Sequence, residues 1–343
     1  MARQNLGFRG VFSWQFYTPR DLNWFRRGSG RRVGRLGISR TPYGANLKYF
    51  AAKMAAFVAL TKPRVIELLL ITTVPVMILA QRGLPDLWLV LATLIGGALS
   101  AGSANAFNCV IDSDIDKVMG RTQNRPLVTG EVSRVAAVVF ASTIGVVSVI
   151  WLGLMVNWLS ALLALSAELF YIFIYTLLLK RRTPQNIVWG GAAGAVPVLI
   201  GFSSVTNSLS WSAAVLFLII FLWTPPHYWP LSMKYLEDYQ KAGVPMLPVV
   251  SNPIAVGKQI VWYSYALVAS TLLLIPVAPM GFLYTITALA TGFWFIFESH
   301  KLLNEAKRDA IKNPMRLFHI SIGYLTFLFV AIGLDPLFYF KVI

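Results

Sequence analysis

Three oxygen-bearing side chains follow one another at helical spacing within an apolar chain. Asn108, Asp112 and Asp116 are each four residues apart, and side chains at that spacing share one face of a helix. Asp114 falls roughly opposite Asp112. Two carboxylates and an amide are hard oxygen ligands of the kind that Mg²⁺ takes together with substrate phosphates. The spacing therefore predicts a magnesium–diphosphate site; the alternative is a solvated helix end with ordinary capping acids.

We call Asn108, Asp112 and Asp116 the row of donors, because their oxygen atoms could donate electron pairs to a metal ion. Basic side chains follow this row directly and occur again after a later apolar segment. Arg121 and Arg125 follow the acids, and Lys180 and Arg181 begin a second cluster. Guanidinium groups bind phosphate oxygens bidentately, so we expect these residues to bind an anionic substrate. The alternative is that they only fix the orientation of the chain in a membrane.

Two tyrosines precede the second basic cluster by one and two helical turns. Tyr171 and Tyr175 carry phenols that suit phosphate oxygens, and their ring faces suit a carbocation. Tyrosine at this depth is also a common anchor at the membrane interface, and that remains the alternative.

A later segment adds a histidine and a second charged pair. Pro225 and Pro226 predict that a helix breaks just before His227, whose aromatic neighbours suit a flat substrate such as a porphyrin; the alternative is a buried core histidine. Lys234 and Asp238 follow at i, i+4 spacing. They predict a second phosphate or metal lobe facing the first, with a surface ion pair as the alternative.

The elements that position these residues belong to a chain too apolar for an ordinary soluble domain. Its 343 residues are 57% hydrophobic and 13% charged, whereas soluble domains carry about 25% charged residues. The net charge is +16, and the basic residues lie between apolar runs. We therefore expect the lipid bilayer as the partner and no nucleic acid. One cysteine, Cys109, permits no internal disulfide.

Nine apolar runs predict an all-α, multi-pass membrane protein, since a helix crosses a bilayer with roughly 20 residues. They cover residues 65–81, 87–111, 135–156, 158–179, 187–204, 211–230, 259–278, 281–298 and 317–339. Asn157 and the excessive length of 135–179 predict a tight hairpin there. With a cytoplasmic N-terminus and an outside C-terminus, only Arg82 and Lys341 of the 30 lysines and arginines fall outside, as the positive-inside rule requires.

The N-terminal region differs from the rest of the chain. We expect residues 1–56 to form a mobile basic tail and residues 57–343 to form the membrane domain. The tail has no compact apolar segment of the kind found in a secretory signal. We expect a bacterial plasma membrane, with the mitochondrial inner membrane and an organelle transit peptide as the alternative.

Five strings in the sequence resemble the UbiA-type intramembrane prenyltransferases, over about residues 57 to 335. The row from Asn108 to Asp116 is similar to the first aspartate motif of that family. The other strings are similar to its haem-farnesylating branch: Leu60-Thr-Lys62-Pro63-Arg64-Val65, Lys180-Arg181-Arg182-Thr183-Pro-Gln185-Asn186, Trp223-Thr224-Pro225-Pro226-His227 and Asp238-Tyr239-x₂-Ala242-Gly243-Val-Pro245-Met246-Leu247-Pro248.

The resemblance implies a bundle of nine transmembrane helices around a central cavity open to the cytosolic side. The substrates it implies are farnesyl diphosphate and haem B, with Mg²⁺ bound to the diphosphate and haem O as the product for terminal oxidases. Haem A synthase or oxidase assembly factors are the implied protein partners. Asn108, Asp112 and Asp116 would bind the metal, and Tyr239 would join the substrate-binding residues.

One departure from the family concerns its second aspartate motif. The matching positions are Lys234, Asp238 and Ala242, so only Asp238 keeps a carboxylate and Lys234 would supply charge in place of a second ion. Three alternatives stay open: prenylation of a quinone-precursor ring, a secondary transporter or channel, and a haem chaperone without catalysis.

Overall fold

The structure, a computed structural model, describes residues 42–338, with the side chains of residues 42–48, 65 and 67–70 left out of the description. Over this range the chain is all-α, and no strand occurs in it. The helices are α1 Pro42–Leu60, α2 Pro63–Gln81, α3 Leu87–Ile111, α4 Ser113–Val118, α5 Pro126–Thr129, α6 Arg134–Met155, α7 Trp158–Leu169, α8 Asn186–Thr206, α9 Trp211–Lys234, α10 Leu236–Lys241, α11 Leu247–Val250, α12 Pro253–Val277, α13 Phe282–Lys307 and α14 Met315–Leu334. A π-helix, Phe170–Leu179, continues α7.

Eight segments of the described chain are long and apolar enough to cross a bilayer: α3, α6, α7 with the π-helix, α8, α9, α12, α13 and α14. Their outward faces carry large apolar side chains; Trp211, for example, is 82% exposed and Phe293 is 75% exposed. Such a surface suits lipid and not water, so the protein is an integral membrane protein. The first predicted span falls in α2, whose described apolar stretch is Ile71–Gln81, and the count of nine stays a prediction.

Polar side chains begin several of the long helices and mark their turns. Asn157 accepts a hydrogen bond from the Ser160 amide at 2.8 Å and so begins α7 directly after α6, as expected for the predicted hairpin. Asp86, Ser133 and Asn252 cap α3, α6 and α12 in the same way.

The long helices pack mainly against their neighbours in the chain. α3 packs on α6, α9 lies between α8 and α12, and α13 lies between α12 and α14. α2 contacts both α8 and α14, which brings the two ends of the described chain together. The ends of the helices that carry Lys62, Asp112, Lys180 and Lys234 lie on one side of the bundle, called here the basic end.

Two sequence predictions need correction or restriction here. α9 runs unbroken from Trp211 to Lys234 through Pro225 and Pro226, so the predicted helix break before His227 is wrong. The prolines remove two hydrogen-bond donors, but packing against α8, α12 and α14 holds the segment helical. The predicted tail boundary at residue 56 falls inside α1, and residues 1–41 lie outside the described residues.

Asp335 at the end of α14 caps the start of α13 from a distance. It is 1% exposed and accepts hydrogen bonds from the amides of Gly281 and Tyr284, at 2.5 and 2.9 Å. We expect Asp335→Ala to lower the free energy of unfolding by about 2–4 kcal/mol, because two buried donors would lose their acceptor. Thermal unfolding in detergent measures this. Glu237→Ala, at an exposed ion pair, is the control; an equal effect of both variants would contradict the capping role.

Candidate functional site

The predicted row of donors lies buried where α3 passes into α4. α3 ends at Ile111, and Asp112 forms the short turn before α4. The helical hydrogen bonds nevertheless continue, from the Asp112 amide to Asn108 O and from the Asp116 amide to Asp112 O, each 2.9 Å. The three side chains therefore stay on one face, and Asn108, Asp112 and Asp116 are 3%, 0% and 3% exposed.

A basic side chain donates a hydrogen bond to each of the three side chains in the row. Lys180 Nζ donates to Asp112 Oδ2, and Arg125 Nη1 donates to Asp116 Oδ2 at 2.5 Å. Asn108 Nδ2 also donates to Asp112 Oδ2, at 2.7 Å. Buried carboxylates need such partners, because an unpaired buried charge is strongly destabilising. The structure thus places Arg125 of the first predicted basic group and Lys180 of the second in contact with the row of donors.

Lys62 is a member of this cluster that the sequence analysis did not select. Its Nζ donates to Asn108 Oδ1 at 2.7 Å, across 46 residues of sequence. Lys62 lies in the turn between α1 and α2 with a left-handed backbone, φ 53°, which is uncommon outside glycine. Removal from water lowers the pKa of its ammonium to about 8. The Lys62-Pro63 pair at a helix start was the available signal in the sequence.

Asp114 lies away from the row, as its spacing predicts. Its side chain is 64% exposed and accepts two hydrogen bonds from Arg181, each 2.7 Å. These bonds lower the pKa of Asp114 to about 2. Arg181 also lies 3.6 Å from Asp112 Oδ1, so it bridges the exposed carboxylate and the buried one.

The segment after α4 contacts the segment after α9. Arg121 Nη2 donates to Tyr239 Oη at 3.0 Å, and the guanidinium lies 5.5 Å from the ring centroids of Tyr235 and Tyr239. The Gly120 amide approaches Asp238 Oδ1 at 3.4 Å. Burial raises the pKa of the Tyr239 phenol, which keeps it neutral. Asp238 and Tyr239 therefore belong to the same end of the bundle as the row of donors.

Lys234 lies at the same end of the bundle, separated from Asp238 by a short turn. It is exposed at the last residue of α9, whereas Asp238 lies beyond the turn at Tyr235, in α10. Among the ion pairs of the described residues, none joins Lys234 to Asp238; Lys241 pairs instead with Glu237. Helical hydrogen bonds continue through Tyr235, from its amide to Leu231 O and from the Tyr239 amide to Tyr235 O, each 3.2 Å, so the second phosphate or metal lobe stays a prediction.

The π-helix sets the positions of Tyr171, Tyr175 and Lys180. Thr176 Oγ1 bonds to Tyr171 O at 2.7 Å, and the Lys180 amide bonds to Tyr175 O at 2.8 Å. The two tyrosine rings lie 5.2 Å apart. Thr176 Oγ1 also accepts from Asn108 Nδ2 at 3.4 Å, which connects this helix to the row. π-Helical turns are rare and occur frequently at functional sites.

His227 lies in α9 on the side that faces α14, in an aromatic stack. Its ring centroid is 4.0 Å from that of Trp223 and 4.5 Å from that of Phe318. Its Nδ1 lies 2.7 Å from Ser321 Oγ. No hydrogen bond within the described range joins it to the row of donors, and this geometry favours the alternative of a packed core histidine.

An apolar cavity of about 150 Å³ lies deeper in the bundle, between α2, α3, α7 and α8. Its walls include Asn105 and Tyr171 at the end nearer the row, and Ala104, Gly194 and Ile200 further in. Small side chains on these helices leave this space open. A chain of carbon atoms attached to an anion at the row would find an apolar environment here.

The chemistry of the donor set fits a divalent ion that binds together with a substrate. Asp112 Oδ1 is buried and has no hydrogen-bond donor among the described residues, so it retains a free lone pair. No three His, Cys, Asp or Glu side chains within residues 42–338 group closely enough to hold a metal by themselves. Mg²⁺ commonly binds through one or two carboxylates plus substrate phosphates. Four cations that contact the row or Asp114, against three carboxylates, also leave a formal surplus of one positive charge for an anion.

Fold and site together define an all-α intramembrane enzyme with a buried carboxylate site at one end of its bundle. The UbiA prenyltransferase family matches residues 69–322, and the chain belongs to that family. A digeranylgeranylglyceryl phosphate synthase has a similar fold, with a TM-score of 0.69 at 17% identity over 83% of this chain and 99% of its own. A UbiA homologue from Archaeoglobus fulgidus bound to DMAPP and Mg²⁺ gives a TM-score of 0.58 at 16% identity, with the same coverage.

Relatives with much higher identity are protoheme IX farnesyltransferases. The protein of that name from Clavibacter sepedonicus is 64% identical over 84% of this chain and 94% of its own length. Those from Leifsonia xyli and Streptomyces coelicolor are 61% and 56% identical over 89% of this chain, and over 95% and 97% of their own lengths.

Proposed function

We propose that the protein transfers the farnesyl group of farnesyl diphosphate to the 2-vinyl group of haem B, with addition of water, and so makes haem O. The buried row of Asn108, Asp112 and Asp116, with its surplus of cations, carries this proposal. It offers an anionic leaving group both a metal site and hydrogen-bond donors. The high identity to protoheme IX farnesyltransferases over nearly their whole length supports the choice of haem B as the acceptor.

The row of donors would hold Mg²⁺. Asp112 and Asp116 would provide carboxylate oxygens, and Asn108 would provide its amide oxygen once Lys62 turns from that oxygen to a phosphate. Mg²⁺ bound there would neutralise negative charge on the departing diphosphate. The absence of a second complete aspartate pair, with Lys234 exposed and Ala242 in the last position, supports one such ion and not two.

The basic residues of the cluster would bind diphosphate oxygens. Lys62, Arg125, Lys180 and Arg181 already contact the row, so each can pass from a carboxylate to a phosphate oxygen over a short distance. Their charges would stabilise the leaving group as the carbon–oxygen bond breaks, and such fixed charges usually supply most of the catalysis. Tyr171 and Tyr175 would present their rings towards the allylic cation.

The remaining groups would position the two substrates. The farnesyl chain would lie in the apolar cavity, which screens the cation from bulk water. Arg121, held against Tyr239, is our candidate for a haem propionate, with Asp238 orienting the segment around Gly120. We place the basic end in the cytoplasm of a bacterial plasma membrane, because the basic residues concentrate there; the named relatives come from bacteria.

The test of this function is a reaction with purified components. The protein is incubated with haem B, farnesyl diphosphate and Mg²⁺, and the pigment is analysed by mass spectrometry. We expect a pigment heavier than haem B by one farnesyl group and one hydroxyl group, and no product after removal of Mg²⁺ by chelation. Farnesyl diphosphate consumed with haem B unchanged would contradict the proposal.

Lys62 provides a more local test. We expect Lys62→Met to raise the KM for farnesyl diphosphate about 10-fold or more, because a charge-assisted hydrogen bond contributes about 1.5–3 kcal/mol. Lys53→Met is the matched control, since Lys53 is exposed on α1 and lies near Tyr49. An unchanged KM in Lys62→Met would show that Lys62 only orients Asn108.

A further inference from the structure

Glu168 is a buried carboxyl group that lies outside the row of donors. It lies in α7 within a membrane-spanning segment, is 7% exposed and lines the apolar cavity. Its Oε1 bonds to Ser103 Oγ on α3 at 2.5 Å. Its Oε2 is buried and forms no hydrogen bond within 3.5 Å in the described part of the chain, although the Ser100 side chain lies beside the carboxyl group. A buried acceptor without a donor is destabilising, and ionisable groups inside a membrane are usually functional.

The surrounding helices are shaped to hold this carboxyl group in one place. A Cβ at Gly145 of α6 would lie 2.6 Å from Glu168 Oε1 and 2.8 Å from Ser103 Oγ, so glycine is needed there. Ser103 Oγ also bonds to Ala141 O at 2.8 Å. Glu168 and Ser103 are thus fixed between α3, α6 and α7, with Oε2 left to bind a group from the cavity.

The cavity connects this carboxyl group to the place where the reaction would occur. Asn105, in the cavity wall, precedes Asn108 by less than one helical turn, and Tyr171, also in the wall, follows Glu168 by three residues. Ser103 lies nine residues before Asp112, which is about 13 Å along a helix. A diphosphate at Asp112 with its carbon chain in the cavity would bring the reacting carbon between the two. A cavity of this size has room for water, and a carboxyl oxygen is one of the polar partners that water requires.

We propose that Glu168 holds the water molecule that adds to the haem vinyl group and accepts its proton, with Ser103 as a positioning residue. This inference rests on the proposed function. The terminal vinyl carbon bonds to the first farnesyl carbon while the bond from that carbon to the diphosphate oxygen breaks, which leaves a cation on the inner vinyl carbon. The oxygen of the held water bonds to this carbon. One water proton passes to Oε2 of the Glu168 carboxyl group in its deprotonated form, and the other remains in the product hydroxyl.

The role of Glu168 can be tested by the identity of the product as well as by the reaction rate. When Glu168 holds no water at the cation, the cation loses a proton from carbon to the departing diphosphate and becomes an alkene. That product has the farnesyl group but is lighter than haem O by one water. We expect Glu168→Gln, which keeps the size of the side chain, to consume farnesyl diphosphate and to make mainly this alkene. Ser103→Ala should shift the product in the same direction to a smaller extent, and Glu168→Asp should restore part of the hydroxylated product.

Glu298→Gln is the matched control, because Glu298 is also a buried carboxyl group in a spanning helix but is bound by Arg316. It should give the hydroxylated product only. The inference is overturned when folded Glu168→Gln gives hydroxylated product alone, or makes neither product. Wild-type protein that leaves haem B unchanged contradicts the proposed function itself, and the inference fails with it.

Discussion

We expect Asp112→Asn to lower farnesyl transfer by about a thousandfold while the protein remains inserted in the membrane. Asp112 is fully buried and contacts Lys180, Arg181 and Asn108 at once. Loss of one group that stabilises the developing charge lowers kcat by about 10²–10³, and about 4 kcal/mol corresponds to a thousandfold in rate. The asparagine also removes one carboxylate from the metal site. Initial rates with haem B and farnesyl diphosphate measure the effect.

Asp114→Asn is the control for this prediction. Asp114 lies two residues away on the opposite side, is exposed, and pairs with Arg181 outside the buried row. Its loss should change the rate by no more than about threefold, as expected for an exposed ion pair. Near-normal activity of Asp112→Asn in the presence of Mg²⁺ would remove the metal assignment.

The second large effect is expected for Lys180→Ala, which should raise the KM for farnesyl diphosphate about 30-fold and change kcat less. Lys180 bonds directly to Asp112 at the end of the π-helix, so its ammonium is already placed where the diphosphate would bind. Removing it takes away a charge-assisted hydrogen bond, for which about 2 kcal/mol is a typical value. Steady-state kinetics with each substrate varied in turn measures the change.

Arg182→Ala tests whether charge alone explains this result. Arg182 is exposed, two residues beyond Lys180, so it contributes to the basic surface without lying near the row. We expect almost no change in KM for either substrate in this variant. Unchanged affinity of Lys180→Ala for both farnesyl diphosphate and haem B would return Lys180 to a role in membrane orientation.

Much of the fold follows from local features of the sequence. The apolar runs predict eight segments that the structure also finds, and Asn157 predicts the turn between α6 and α7 because its side chain can cap the next helix. The row of three donors follows from helical spacing alone. The geometry of the row survives the turn at Asp112 because the backbone hydrogen bonds continue through it.

Other features depend on contacts between distant parts of the chain. Lys62 binds Asn108 across 46 residues, and no local pattern specifies that contact. The π-helix arises where Thr176 bonds to Tyr171 and Asn108 at once. α9 stays helical through its prolines because neighbouring helices pack against it. In each case tertiary packing overrides the local preference, and only the structure reveals the result.

The most direct test of the account is a structure of the protein with Mn²⁺, as a substitute for Mg²⁺, and a non-hydrolysable analogue of farnesyl diphosphate. We predict that the anomalous signal of Mn²⁺ lies within about 2.2 Å of a carboxylate oxygen of Asp112, a distance typical of such ions, with Lys62 and Lys180 on the diphosphate. A metal bound elsewhere, with Asp112 still paired to Lys180, would contradict the account.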